Sequence, residues 1–231
     1  GWITTDSTLN SPYQMTHVEN IDLRANIEPI GDLRIDVSAN RTYSENTSEF
    51  YIYDKTSGMF NSANKTLRGN FTMSVNTWKT AFSKIGKEGV QASEAFQQFK
   101  TNRITIARRL ASQRISNEVE EYDPQVVIPG SDFPVGYSES SQQVIIPAFI
   151  AAYTSQDVNK VSLNPFPSLR FIRPNWRISY DGMVTQVEGL NKIFKTLSFT
   201  HSYRSTYNVG SFTTNLDYDE TFYEDGFSYV R

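Results

Sequence analysis

Few side chains in this sequence have the types and spacing that chemistry needs. Its two histidines, His17 and His201, lie far apart with no second ligand at metal spacing, so each reads as a strand residue at an interface rather than a zinc ligand. Asp217, Asp219, Glu220, Glu224 and Asp225 form an acidic run, but Thr221 and Phe222 stand where a calcium loop needs an oxygen ligand and a glycine. That run reads as a solvated surface loop. Asn40, Asn46, Asn64 and Asn70 sit in Asn-x-Ser/Thr sequons, a glycosylation signal only in a eukaryotic secreted protein and otherwise plain polar strand positions. Arg103, Arg108, Arg109 and Arg114 could offer a basic docking face, though Glu94 and Glu118 interleave with them as on a solvated helix face. There is no cysteine, hence no thiolate metal site and no disulfide framework. With no nucleophile elbow, phosphate loop or paired catalytic carboxylates, the chain is expected to be no enzyme and to need no cofactor or metal. A net charge of −3 gives no footprint for nucleic acid.

The informative pattern is structural. Ile21, Leu23, Ala25 and Ile27 fall in one phase, and Asp22, Arg24, Asn26 and Glu28 in the other. After Pro29-Ile30-Gly31-Asp32, the residues Leu33, Ile35, Val37 and Ala39 again oppose Arg34, Asp36, Ser38 and Asn40. Successive side chains on a strand point to opposite faces, so these runs predict a hairpin with one apolar and one polar face. The apolar phase must meet a protein core or lipid. If lipid, Ile21, Leu23, Ala25, Ile27, Leu33, Ile35, Val37 and Ala39 face the bilayer, while Asp22, Arg24, Asn26, Arg34, Asp36 and Ser38 face a water-filled lumen.

Strand length separates these cases. From Leu33 no glycine or proline interrupts the chain until Gly58, so one strand can reach Tyr53, on the order of 70 Å at ~3.3 Å per residue. A tilted membrane strand needs only about 9–11 residues, and the surplus would project as a polar, Tyr-rich wall. Hydrophobic content of 38% with 13% aromatic residues suits a wall with one wet face and aromatic girdles. Further runs are predicted at Leu67–Val75, reaching Phe82, at Trp176–Thr185, and at Leu197–Val209. Five strands cannot close a membrane barrel, whose lower limit is about eight, so the chain reads as an internal piece of a longer protein.

Between the third and fourth runs the period changes. Ala92, Phe96, Phe99, Arg103, Ile106, Ala107 and Leu110 recur at three and four residues, the stripe of an amphipathic helix over Val90–Ile115. After a turn-rich loop, Ser140 or Ser141 can cap a second helix, Gln142–Tyr153, which Pro147 should bend or start. The expected layout is barrel strands with a long hairpin extension over 1–83, a helical insertion or cap over 84–173, and two more strands with a following loop over 174–231. If the third run pairs only with the overhang of the second strand, the short turns Pro29–Asp32 and Glu188–Phe194 lie together on the periplasmic side and the insertion is extracellular. If it crosses back, the insertion is periplasmic. We favour the first arrangement because it keeps both short turns at one end.

Alternation alone fits a soluble β-sandwich adhesin or carbohydrate-binding protein equally well. A different large transport barrel, such as a lipopolysaccharide exporter or a plugged nutrient receptor, would share it too. Several ordered segments go further: Ile27-Glu28-Pro29-Ile30-Gly31-Asp32-Leu33-Arg34-Ile35 with Ala39-Asn40-Arg41-Thr42-Tyr43-Ser44, then Phe133-Pro134-Val135-Gly136-Tyr137 through Ile146-Pro147-Ala148-Phe149-Ile150-Ala151-Ala152-Tyr153, then Asn175-Trp176-Arg177-Ile178-Ser179-Tyr180-Asp181-Gly182, and last Ser198 to Tyr207. In this order they resemble the SprA (Sov) family, the giant outer-membrane translocon of the Bacteroidota type IX secretion system. The resemblance covers nearly the whole chain. It implies an antiparallel segment of a very large transmembrane β-barrel, mainly β with a helical insertion, in the bacterial cell outer membrane. The implied work is export of folded cargo proteins to the cell surface, including those of gliding motility. The implied partners are secreted cargo, a PorV-like shuttle, a periplasmic plug protein and outer-membrane lipid.

Overall fold

A computed structural model describes residues 6–9, 11–82, 93–116, 123, 125–187 and 189–213. Two long strands dominate it, β1 (Tyr13–Ile30) and β2 (Leu33–Asp54), joined at Gly31-Asp32 and paired antiparallel from Ile30↔Leu33 to Tyr13↔Glu49. Pro29 falls where the register shifts between Ile27 and Ile30, a place where its missing N–H costs no regular ladder bond. At 22 residues, β2 is the single long strand that the uninterrupted run after Leu33 predicts. β1 starts eight residues before the apolar phase does, because its upper half, Tyr13 to Asn20, pairs with the polar, Tyr-rich half of β2.

The other edge of β2 is shared. Its upper part, Arg41–Asp54, pairs with β3 (Met59–Ser74), and its lower part, Leu33–Ser38, pairs with β4 (Asn175–Tyr180). Both partners run antiparallel to β2, so β4 continues the line of β3 after an excursion over residues 75–174. Beyond this composite strand lie β5 (Phe199–Tyr203), paired with β4, and β6 (Thr206–Thr213), paired with β3. The architecture is a four-line antiparallel meander with a helical unit inserted into its third line. It is mainly β, and within the described residues the sheet stays open, with outer edges on β1 and on β5 and β6.

Several sequence expectations change here. Among the described residues there are six strands rather than five, because the run Leu197–Val209 is broken at Arg204-Ser205, where the line passes from β4 to β3. The third run ends at Ser74 rather than Phe82, giving way to the short helix α1 (Trp78–Ala81). The fourth ends at Tyr180, where the Asp181 N–H turns to the Asp32 carbonyl at 3.0 Å, and the short helices α4 (Met183–Gln186) and α5 (Leu190–Ile193) follow. The insertion therefore begins after Ser74, ahead of residue 84.

Two glycines are required where they stand. Gly58 closes the β2–β3 turn at φ +68°, its N–H bonded to the Asp54 carbonyl at 2.8 Å, a conformation that β-carbon-bearing residues rarely adopt. At Gly69, a β-carbon would lie 2.0 Å from the Ser44 carbonyl oxygen and 2.7 Å from the Phe212 ring.

The insertion is built on α2 (Glu94–Ser116) and α3 (Gln142–Tyr153). Ile106, Ala107 and Ala111 pack against Val144, Ala148 and Ala151, with Tyr137 and Val161 completing a buried core. Small residues on both facing stripes let the helices approach closely. Pro147 is buried inside α3 without ending it. Ser141 is the N-cap residue, but its buried hydroxyl makes no capping bond.

Candidate membrane-facing surface

Directly opposed residues in a sheet share a face, so the registers of β1, β2, β4 and β5 define rows across the wall. One face carries Ala25–Val37–Trp176–Tyr203, then Ile27–Ile35–Ile178–His201, then Leu33–Tyr180–Phe199, with Leu23–Ala39 one row above. The reverse face carries Asn26–Asp36–Arg177–Ser202 and Arg24–Ser38–Asn175, with Arg34–Ser179–Thr200 below. The eight residues read as lipid-facing thus share one face, and the six read as lumen-facing share the other. On the polar side the Asn26 amide donates to Asp36 at 2.7 Å. On the apolar side Leu23 is 56% exposed, Ile27 48% and Phe199 51%, so the described residues leave much of the band uncovered. Ala39 differs: it is buried at the level where the insertion leaves the sheet.

Aromatic rings mark both margins of this band. At its upper margin Trp176 stacks on Tyr203 with centroids 4.4 Å apart, Trp78 of α1 lies 5.7 Å from Trp176 and 5.3 Å from Tyr203, and the Trp176 indole N–H donates to His201 Nδ1 at 3.4 Å. At its lower margin stand Tyr180 and Phe199. Rings with an apolar body and a polar tip are the residues that favour a boundary between hydrocarbon and water. Sequence reading placed these strands without their register, and so missed that Trp78, from the insertion, joins the strand aromatics.

Above the band the same face is covered. Phe71, Met73 and Val75 form a second core beneath Phe166, Phe171 and Ile172 of the insertion. Arg41, opposite Ile21, fixes this junction. Its Nη1 binds Glu19 at 2.5 Å, its Nε donates to the Pro167 carbonyl at 3.2 Å, and its guanidinium lies 5.2 Å from the Phe71 ring centre. The Glu19 carboxyl is held below the usual range by its bond with His17, 3.2 Å away, and by Arg41. Tyr207 donates to the Pro165 carbonyl at 3.3 Å, and burial pushes its phenol well above the ordinary tyrosine range. The helical unit thus stands on the apolar-phase side of the wall, away from the polar face.

The remaining chemistry-bearing residues are structural where described. His17 and His201 are strand residues 6.3 Å from Tyr43 and 5.7 Å from Trp78, ring to ring. Among the described residues no group of three or more acidic or histidine side chains is placed to hold a metal ion. The arginines depart from the solvated-face reading. Arg103 donates to the Glu139 carbonyl at 3.2 Å, and Arg109 clamps the carbonyls of Val158 and Val161 at 2.6 and 3.0 Å, tying α2 to the loop after α3. Arg108, by contrast, is exposed. The acidic run at 217–225, Glu118 and the side chain of Arg114 lie outside the described residues.

The fold and surface define a mainly antiparallel β protein with one apolar and one polar wall face. Compared with protein-family models and with curated proteins, the sequence gives no match.

Proposed function

We propose that this chain is a section of the wall of a large outer-membrane protein-conducting barrel of the SprA (Sov) type, which exports folded cargo to the bacterial cell surface in type IX secretion. The observation that carries the reading is the set of cross-strand rows, apolar and ring-bordered on one face and polar on the other: the alternation runs from Ile21 to Ile30 on β1, and across all four lines it spans the 6 residues of β4. The β1 run matches the ~9–11 residues of a tilted membrane strand, and the polar rows suit a hydrated lumen. The two outer edges call for neighbouring strands from the rest of a barrel, since unpaired backbone groups are costly in hydrocarbon. The ordered sequence segments point to this family among large barrels. Cargo proteins, a PorV-like shuttle, a periplasmic plug and outer-membrane lipid are the partners that this reading brings with it. The wall conducts; it performs no covalent chemistry.

Orientation follows from the same pairing. The β4–β5 connection meets the β1–β2 turn through Asp181 and Asp32, so both lie at one end, assigned to the periplasm, and the insertion with the β2–β3 overhang projects outward. Because that insertion packs on the apolar-phase side, it stands beside the barrel and does not narrow its exit. A Gln97→Cys variant in intact cells, challenged with an impermeant maleimide, tests the assignment. Labelling without permeabilisation is expected; labelling only after the outer membrane is opened, with a surface-loop control already labelled, reverses it.

A further inference from the structure

A cavity of about 500 Å³ lies where the insertion meets the wall, within the ~300–1,000 Å³ typical of small-molecule sites. Its floor is the apolar-phase face at the seam between β3 and β4, with Met73, Val75 and Trp176, and its roof is the end of α3 and the loop beyond, including Ile150 and Val161. Two cations, Lys79 and Arg173, also line it, and none of its lining residues is acidic. Both side chains are exposed. Arg173 is fixed in place, its Nη1 donating to the carbonyls of Arg170 and Ile172 at 2.9 and 2.8 Å and its backbone N–H to the Ser74 carbonyl at 3.1 Å. Trp78 and Trp176 set the cavity at the upper aromatic margin of the exposed band.

A chamber with an apolar floor, a polar rim carrying two cations, and indole rings at the edge of the exposed apolar band matches one kind of molecule. We propose that it holds an anionic membrane lipid whose headgroup carries a phosphate monoester, with that phosphate between Lys79 and Arg173 and the start of an acyl chain on the Met73–Val75 floor. Anionic headgroups are attracted by such basic sites at the membrane boundary, and Trp favours the same depth. A lipid here would tie the insertion to the leaflet it stands on. The inference rests on the membrane-wall reading for its location, though the cavity can be tested separately.

Titration calorimetry of the full chain in neutral detergent, with dihexanoyl phosphatidate, dihexanoyl phosphatidylcholine and inorganic phosphate as probes, tests it. Saturable binding of the phosphatidate is expected, at least about tenfold tighter than either other probe, which at that ratio is about 1.4 kcal/mol. Lys79→Gln with Arg173→Gln should weaken it at least about tenfold, Lys79→Gln alone should weaken it less, and Lys55→Gln at the far β2–β3 turn should leave it unchanged. Equal binding of the phosphatidylcholine would mean that the site does not select the phosphate monoester, and equal binding of inorganic phosphate would reduce it to a free-anion site. Either result, no binding, or unchanged affinity in both Lys79 variants overturns the proposal. Selective binding combined with failure of the maleimide and lipid-face tests would leave the cavity standing and remove the membrane wall.

Discussion

The Ser74 hydroxyl accepts a hydrogen bond from the Asn40 N–H at 3.0 Å and donates to the Asn40 carbonyl at 3.3 Å. Ser74 is the last residue of β3, and Asn40 lies between the stretches of β2 that pair with β3 and with β4. One side chain therefore supplies the ladder bonds that the departing chain gives up. A second stitch lies one line further out, where the Ser205 N–H, between β5 and β6, donates to Asn175 Oδ1 at 2.9 Å.

Ser74→Ala leaves the part-buried N–H and carbonyl of Asn40 without this partner. Unmade buried bonds cost about 1–3 kcal/mol, so the variant should unfold at lower denaturant, and the Asn40 amide should exchange faster with solvent. Unchanged exchange at Asn40 would mean that another group or water serves the seam.

Val37→Arg and Ser38→Arg separate the two faces. Val37 lies between Ala25 and Trp176 in an apolar row, and Ser38 opposite Arg24 on the polar side. On the proposed membrane-wall reading Val37→Arg should cost ~2–4 kcal/mol if the site is at the bilayer midplane, and Ser38→Arg should be tolerated. Assembly yield in outer-membrane fractions reads the difference; equal tolerance would sink the lipid-facing assignment.

The isolated chain should aggregate in plain buffer or require detergent, because among the described residues β1 and the β5–β6 line keep open edges beside an uncovered apolar band. A monodisperse, cooperatively folding monomer without detergent would instead support a soluble sandwich.

Acid should loosen the β2–β3 extension around Glu49. Hydrogen bonds from Ser62 at 2.7 Å and Tyr51 at 2.8 Å hold the Glu49 carboxyl below the usual range. A carboxylate whose folded value is depressed contributes stability above its unfolded value, ~4.3, and loses that contribution as pH falls through the lower folded value. Hydrogen exchange over 48–62, corrected for intrinsic rate, should rise below about pH 4, and Glu49→Gln should flatten the rise.

Strand phase and helix period were legible because they are local. The run from Leu33 gives β2 almost to its end, and α3 spans Gln142–Tyr153 as its cap and apolar run suggest. Half of the composite third line was legible: β3 pairs only with the overhang of β2, Arg41–Asp54, as the favoured arrangement expects. That β4 fills the other half was not, because Arg41↔Met73 and Ser38↔Asn175 are neighbouring pairings contributed by chain positions far apart, and alternation carries no information about pairing across such a distance. Gly182-Met183-Val184 continues the strand phase yet leads into a helical turn, since Asp181 is drawn to Asp32. Arg103 and Arg109 are indistinguishable in sequence from a solvated face; only the returning loop makes carbonyls available to them.

The break in the third line also dictates an order of assembly. Asn175 reaches Ser38 only after the intervening helical unit has been synthesised, and closing so long a loop is slow and entropically costly. The contacts of α2 with α3 span far less chain, so the helical unit can form while the lower wall still waits for its neighbour. Until β4 docks, the lower edge of β2 is a free template beside apolar residues. A chain released at that moment would present its most aggregation-prone strand, which makes the docking of β4 the step at which assembly is most exposed.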